Sequence, residues 1–324
     1  MADVVEGATA MKASRAIVLL LVSVGICGLG SVAGLATAPA QTSVSAIAQV
    51  FNSAEEATAA LVDALRADKA DAIRSVLGPG SEKLLSSGDR YSDAAERRRF
   101  LGAYDDQHKL VAAEPGRTIL QVGKGDWPFP IPLIQVAGRW HFDAHAGAQE
   151  LVDRRIGGNE IAGIRTSLAY VDAQKVFSAL TGQYAQRLSS SPGKHDGLYW
   201  PAAEGGPESP LAPLVAQAQE EGYPGERVSG RPTPYHGYFF RILTGQGTSA
   251  AGGPRTYIGA DRMTKGFGLI AWPASYGASG IMTFITNQDG IVFQKDLGPH
   301  TAAIGAAMKL FDPDLSWTRV DIID

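Results

Sequence analysis

One cysteine, Cys27, stands in the whole sequence, and it lies inside an N-terminal apolar segment. The chain beyond that segment has no disulfide to draw on, so core burial is expected to hold it folded. An excess of either charge is lacking too, with 29 Lys and Arg against 33 Asp and Glu and a formal net charge of −4. No basic stripe is present, so a nucleic-acid partner is not expected. Glycine-rich phosphate cradles are missing: no G-x-G-x-x-G follows a strand pattern and GxxxxGK[ST] does not occur, so no cofactor is expected. The 38 glycines and 18 prolines show no triplet period, which sets aside collagen-like and low-complexity classes. What is present is 45% hydrophobic residues in 324, a globular chain with room for about two domains.

The N-terminus carries an address. MKASR, from Met11 to Arg15, precedes AIVLLLVSVGICGLGSVAGLA and then TAPAQ. These are the basic region, apolar region and small-residue cleavage site of a secretory signal, expected to be cut between Ala40 and Gln41. A cut after Ala38 would leave Pro39 first in the mature chain, which disfavours it. Asp3 and Glu6 are odd company for a basic region, and they point to Met11 as the start of translation. The alternative is an uncleaved anchor, because a run of about 20 apolar residues can span a bilayer. Ile26, just before Cys27, does not fit a lipoprotein signal. The expectation is an exported protein, periplasmic or extracellular, with signal 1–40 and a Ser/Thr/Ala linker 41–50.

Beyond the linker two α+β units are expected, at 51–146 and 147–324. FNSAEEATAALVDALRADKADAIRSVLG reads as two helices, with Ser53 as N-cap, Glu56 three residues later, and Ala57, Leu61 and Leu65 at helical spacing. Gly78-Pro79-Gly80 stops the second, and a third, from about Tyr91 to Gln107, carries Phe100, Leu101 and Tyr104. RTILQVG, WPFPIPLIQV and GRWHF then suggest a small antiparallel sheet. From Gly147 a helical pattern runs to about Leu180 with Ile161, Ile164, Leu168 and Val171 as its apolar stripe and a break or kink at Gly157-Gly158. After an irregular Gly/Pro-rich stretch and a short helix at Leu211 to Glu220, GYFFRIL, GFGLIAWP, GIMTFITN and IVFQKDL read as four strands. A turn at Gln288-Asp289-Gly290 joins the last two, and Thr301 to Phe311 closes the chain as a helix.

WPFPIPL, the AG..EL.DRRIG.NEIA..R....YVDAQ segment, PGKHDGLYWPAAEG, PTPYHGY, FGLIAWPASYGASGIMTFITNQDGIVFQKDLG and DPD..W occur in order. Over about Phe51 to Val320 the chain resembles the bacterial family called domain of unknown function 2950, which implies an exported protein with no established biochemical role. NEIAGIRTSLAYVDAQ is similar to the helix of type IV pilins and pseudopilins where it leaves the membrane, and the following strand block is similar to the pilin head sheet. That likeness implies a pilin-like second unit. It departs from a pilin in placing a globular unit where the membrane segment would stand.

Several residue sets could carry chemistry. His141, Asp143 and His145 form H-x-D-x-H, which on an extended strand would turn all three toward one divalent metal; Ala144 to Gly147 read as the end of that strand. Ser191-Pro192-Gly193-Lys194 matches S-x-x-K, but Pro-Gly in its middle opposes the helix that motif needs, and S-D-N and K-T-G are absent. Gly277-Ala278-Ser279-Gly280 is not a nucleophile elbow and reads as a turn between strands. The pairs Glu55-Glu56, Asp105-Asp106 and Glu220-Glu221 diverge by about 100° on a helix and cannot converge on one bond.

The remaining feature is aromatic. Tyr199, Trp200 and Tyr235 stand near His195, Asp196 and His236 in loops or at strand edges, a set suited to a sugar ring or peptide if exposed and to packing if buried. No catalytic residue is assigned. The reading is a non-enzymatic exported binding or envelope-assembly module, with an envelope protein or cell-wall glycan as its partner and membrane contact only through an uncleaved signal. The alternative is an envelope hydrolase acting on glycan or peptide, with His195, Asp196 and Lys194 in a loop pocket.

Overall fold

Ser53 starts the first helix because its hydroxyl accepts the Glu56 N–H at 3.1 Å while its own backbone stays extended. The Glu56 carboxylate reaches back one residue further than in a standard capping box, to the Asn52 amide at 2.9 Å. The structure is a computed structural model that describes residues 48–202, 206–224 and 232–321. The signal segment and the linker through residue 47 lie outside the described residues.

The chain opens with helices α1 (Ala54–Arg66), α2 (Ala70–Leu77), α3 (Glu82–Leu85) and α4 (Arg90–Asp106), then strands β1 (His108–Glu114), β2 (Arg117–Val122), β3 (Trp127–Pro128), β4 (Leu133–Val136) and β5 (Arg139–Phe142). The strands form one antiparallel sheet in the order β1-β2-β4-β5, with β3 pairing β2. Alternation along RTILQV buries Thr118, Leu120 and Val122 against Ala57, Leu61, Phe129, Leu133 and Phe142. Two elements, α3 and β1, were not expected from the sequence; β1 has little inward face to signal it, because six of its seven residues are exposed.

A single helix, α5 (Ala144–Thr181), then runs 38 residues, with Gly157-Gly158 inside it and no break. Its buried face is Val152, Ile156, Asn159, Gly163, Ser167, Tyr170, Gln174 and Phe177, and Ile161 is 51% exposed. The expected stripe was therefore turned partly outward. Gly163 faces the Phe284 and Tyr238 rings at the helix–sheet contact.

After α6 (Ala212–Glu220) come β6 (Tyr238–Leu243), β7 (Gly245–Gln246), β8 (Arg255–Thr256), β9 (Ile258–Gly259), β10 (Arg262–Met263), β11 (Gly268–Pro273), β12 (Met282–Asn287) and β13 (Phe293–Asp296). The chain closes with α7 (Thr301–Ala307), β14 (Leu310–Phe311) and β15 (Thr318–Arg319). The four expected strands are β6, β11, β12 and β13, paired antiparallel in the order β15-β13-β12-β11-β6 and crossed by α5. The last helix ends earlier than expected. Arg241 donates to the Gly305, Ala306 and Met308 carbonyls and so caps α7, and Leu310–Phe311 leaves to pair with β7.

The fold is thus mixed α+β on antiparallel sheets. One core gathers α1, α2 and the first sheet, and further cores lie around α5 and the second sheet. The described residues nevertheless belong to one compact unit, and the boundary expected at 146/147 falls within the first turn of α5. Arg155, on α5, ties the halves together with 7% of its side chain exposed. It pairs with Glu96 at 3.1 Å and donates to the Lys83 and Leu84 carbonyls.

Candidate functional site

Gly182 ends α5 in the left-handed conformation, its N–H returning to the Ser178 carbonyl, and the chain doubles back as the loop 183–200. Buried Gln174 anchors the loop: its amide donates to the Ala185 carbonyl and accepts the Ala185 N–H, each at 2.8 Å, and it also donates to the Tyr170 hydroxyl. The Tyr184 N–H reaches the Met263 carbonyl at 2.7 Å, and Gln186 donates to the Asp261 carbonyl at 2.9 Å, so the β9–β10 hairpin is fastened to the same loop. That hairpin turns on Ala260 and Asp261, both at positive φ, which is the two-residue turn that suits the strand twist.

Within the loop the residues singled out from sequence separate by role. Trp200 is 6% exposed, packs in the core around α5, and gives its indole N–H to the Pro207 carbonyl at 3.0 Å. Of the two readings of the aromatics, packing is the one that fits this ring. His195 stacks on it with ring centres 4.4 Å apart, and half-buried Tyr199 packs against the same core. Asp196 is held at both oxygens, by the Ser191 N–H at 2.7 Å and the Ser191 hydroxyl at 2.8 Å. The Ser191 amide, with its hydroxyl and nearby Arg187 adding to it, holds the Asp196 carboxyl below the usual carboxylate range. Ser191 thus shapes the loop as a partner of Asp196, and Pro192-Gly193 forms its turn.

A cavity of about 340 Å³ opens beside this loop, lined by Phe177, Tyr184, Arg187, Asp196, Asp261 and Arg262 together with Gln183, Ala185 and Gln186. Arg187 stands 3.1 Å from the Ser191 hydroxyl and 3.9 Å from the Asp196 carboxylate. Of the sequence-predicted set only Asp196 lines it. The hairpin residues Asp261 and Arg262 and the loop residue Arg187 were missed, and the signal for them is tertiary.

Tyr235 and His236 lie elsewhere, in a second network. His236 and Gly237 form a two-residue turn at positive φ, closed by the Tyr235 and Tyr238 backbones. Fully buried Asp89 N-caps α4 through the Tyr91 and Ser92 amides, while its other oxygen accepts the Tyr223 hydroxyl at 2.8 Å and the Gly237 N–H at 2.9 Å. The Tyr223 hydroxyl accepts the His236 N–H at 3.0 Å. Burial, then the Asp89 charge, pushes the Tyr223 phenol well above its ordinary range, and burial with the Glu221 charge pushes Tyr235 up to about 12. The His236 ring lies 2.9 Å from Glu221 Oε2, an atom otherwise buried without a hydrogen-bond partner; distance favours the pair but its angle does not make a hydrogen bond.

His141, Asp143 and His145 do not converge. The strand ends at Phe142, Asp143 turns to accept the Ala146 N–H as N-cap of α5, and His145 sits in the helix beside Gly80. Among the described residues no group of three or more His, Cys, Asp or Glu side chains is placed to hold a metal ion. The motif Asn159-Glu160 is structural: Asn159 donates to the Ser279 carbonyl at 2.9 Å, and Glu160 accepts the Ile281 and Met282 amides at 3.0 Å. These contacts fix the Ser275–Gly280 turn, in keeping with its reading as a connection between strands. No described helix is long and apolar enough to cross a membrane.

A family model described as "Protein of unknown function (DUF2950)" matches residues 48–320. No curated protein and no solved structure matches the chain.

Proposed function

The chain belongs to the DUF2950 family, and from that premise we propose that it is an exported, non-enzymatic binding module of the bacterial cell envelope that takes its ligand at the cavity beside the loop 183–200. The observation that carries this reading is the cavity itself. Its walls are held by backbone and side-chain hydrogen bonds from Gln174, Gln186 and Ser191, so charged groups are presented on a rigid frame, as a binding site requires. Export is supported by the n-region, apolar region and A-P-A site at 38–40. A pilin-like arrangement of the second half is supported by the long α5 lying across the β6-β11-β12-β13 meander.

One observation favours the rival, an envelope hydrolase: the His236–Glu221 pair at 2.9 Å. A hydrolase also needs a nucleophile within reach of that base. Of the two tyrosine hydroxyls in the network, Tyr223 is committed to Asp89, and burial holds both Tyr223 and Tyr235 protonated. A thermal-shift screen of the chain against muropeptides and oligosaccharides tests the proposal, because a ligand of the folded state raises Tm by mass action. A shift lost in Arg262→Gln and kept in His236→Gln supports it. Turnover of any of these compounds that disappears in His236→Gln would establish the hydrolase instead.

A further inference from the structure

The cavity lining has a charge pattern that narrows its ligand. Two guanidiniums, Arg187 and Arg262, and two carboxylates, Asp196 and Asp261, share one small space with Phe177, Tyr184 and Ala185. Phe177 and Ala185 are buried and supply an apolar floor. We propose that the cavity takes a small zwitterion, a free amino acid or a di- or tripeptide with both termini unblocked, its carboxylate facing Arg187 and Arg262 and its ammonium facing Asp196 and Asp261. This rests on the reading of the chain as a binding module.

Charge balance selects among ligand classes. A purely anionic ligand would bring its charge against Asp196 and Asp261, and a purely cationic one would meet both guanidiniums. A neutral sugar would return no opposite charge to any of the four charged groups. A ligand with both signs a few ångströms apart can compensate all four, and a guanidinium fork matches a carboxylate in two hydrogen bonds. Size agrees, because about 340 Å³ lies at the small end of ligand cavities and admits a dipeptide.

The charges are also held ready. Asp196 is fixed at both oxygens by Ser191. Arg187 is steadied by the Ser191 hydroxyl but stands 3.9 Å from Asp196, beyond hydrogen-bond length, so the pair is open and each partner retains capacity for a ligand group. Asp261 and Arg262 sit at the tip of a hairpin whose turn is locked by backbone conformation and fastened by Gln186. Little loop entropy therefore remains to be lost on binding.

Isothermal titration of the full chain with alanyl-alanine, in its L,L and D,D forms, gives the direct test. N-acetyl-alanyl-alanine removes the ammonium, alanyl-alanine amide removes the carboxylate, and an N-acetylglucosamine oligomer serves as the neutral comparison. The expected result is binding of at least one unblocked dipeptide, with each blocked form at least about tenfold weaker, which corresponds to about 1.4 kcal/mol. Arg262→Gln and Asp261→Asn should each weaken the unblocked dipeptide about tenfold while leaving Tm unchanged, since both side chains are exposed. Two variants on opposite charges keep the test decisive if one of them folds poorly. Equal binding of blocked and unblocked forms, or variants that bind as the parent does, would overturn the proposal. Binding of the glycan alone, weakened in Arg262→Gln, would overturn it and leave the binding-module reading standing. Absence of binding by every compound in the set, peptide and glycan, would count against both.

Discussion

Replacing Asp89 tests how the two halves of this fold are joined. Its buried carboxylate caps α4 with one oxygen and holds the Tyr223 hydroxyl and the Gly237 amide with the other. Asp89→Ala removes the cap, which costs about 1 kcal/mol. It also leaves the Gly237 N–H and the Tyr223 hydroxyl buried without their acceptor, at about 1–3 kcal/mol for each orphaned group. Tyr223 can rotate to another partner more easily than a backbone amide can, so the expected total is about 3–5 kcal/mol. Asp89→Asn keeps one acceptor oxygen for the cap but turns an NH₂ toward the Gly237 N–H, so it should cost about half as much, about 2 kcal/mol. Urea denaturation of parent and both variants, followed by circular dichroism, measures the differences. A loss below about 1 kcal/mol in Asp89→Ala would refute the view that this carboxylate is a structural junction.

Other perturbations follow from the same contacts. Trp200→Ala should lower stability by about 3–5 kcal/mol, because the ring is core and its N–H is bonded to Pro207; an unchanged melting curve would return the ring to a ligand-facing role. Gly280→Ala should destabilise by about 1–3 kcal/mol, because its new Cβ would collide with the Tyr238 hydroxyl, which donates to the Met282 carbonyl at 2.9 Å; denaturant titration would reveal a tolerated alanine as contrary. Asp196 has a folded-state pKa below its ordinary value, so its contribution to stability is present above about pH 4 and is lost as pH falls through the lowered value. Asp196→Asn should flatten that part of the acid limb of a stability-versus-pH curve, and an identical limb in both proteins would contradict the Ser191 assignment.

Much of the first half was legible because its signals are local. Ser53, the Ala57–Leu61 spacing and the alternation in RTILQV each depend on neighbours a few residues away. The inward face of α5 differs from the expected stripe for a physical reason: its buried positions include Asn159, Gly163, Ser167 and Gln174, which hydrogen-bond the following turn and loop, bond within the helix or carry no side chain, so its most buried positions are not its most apolar. The site was harder to read. Asp196 was singled out, yet it shares its cavity with Asp261 and Arg262 through a hairpin that the sequence pattern does not mark. Asp89 meets Tyr223 and Gly237 across separations of 134 and 148 residues, beyond any local motif. The H-x-D-x-H spacing failed because Asp143 is worth more as the cap of a 38-residue helix than as one point on a strand.

The central claim, a binding site at the cavity beside the loop 183–200, is tested most directly by heteronuclear magnetic resonance. Amide shifts of the labelled chain would be followed while a soluble cell-wall digest is added and then withdrawn by dialysis. The account predicts reversible shifts at Gln183, Tyr184, Gln186, Arg187, Asp196, Asp261 and Arg262, with the digest recovered unaltered. Shifts centred on Tyr235, His236 and Glu221, with fragments of the digest cleaved, would contradict it.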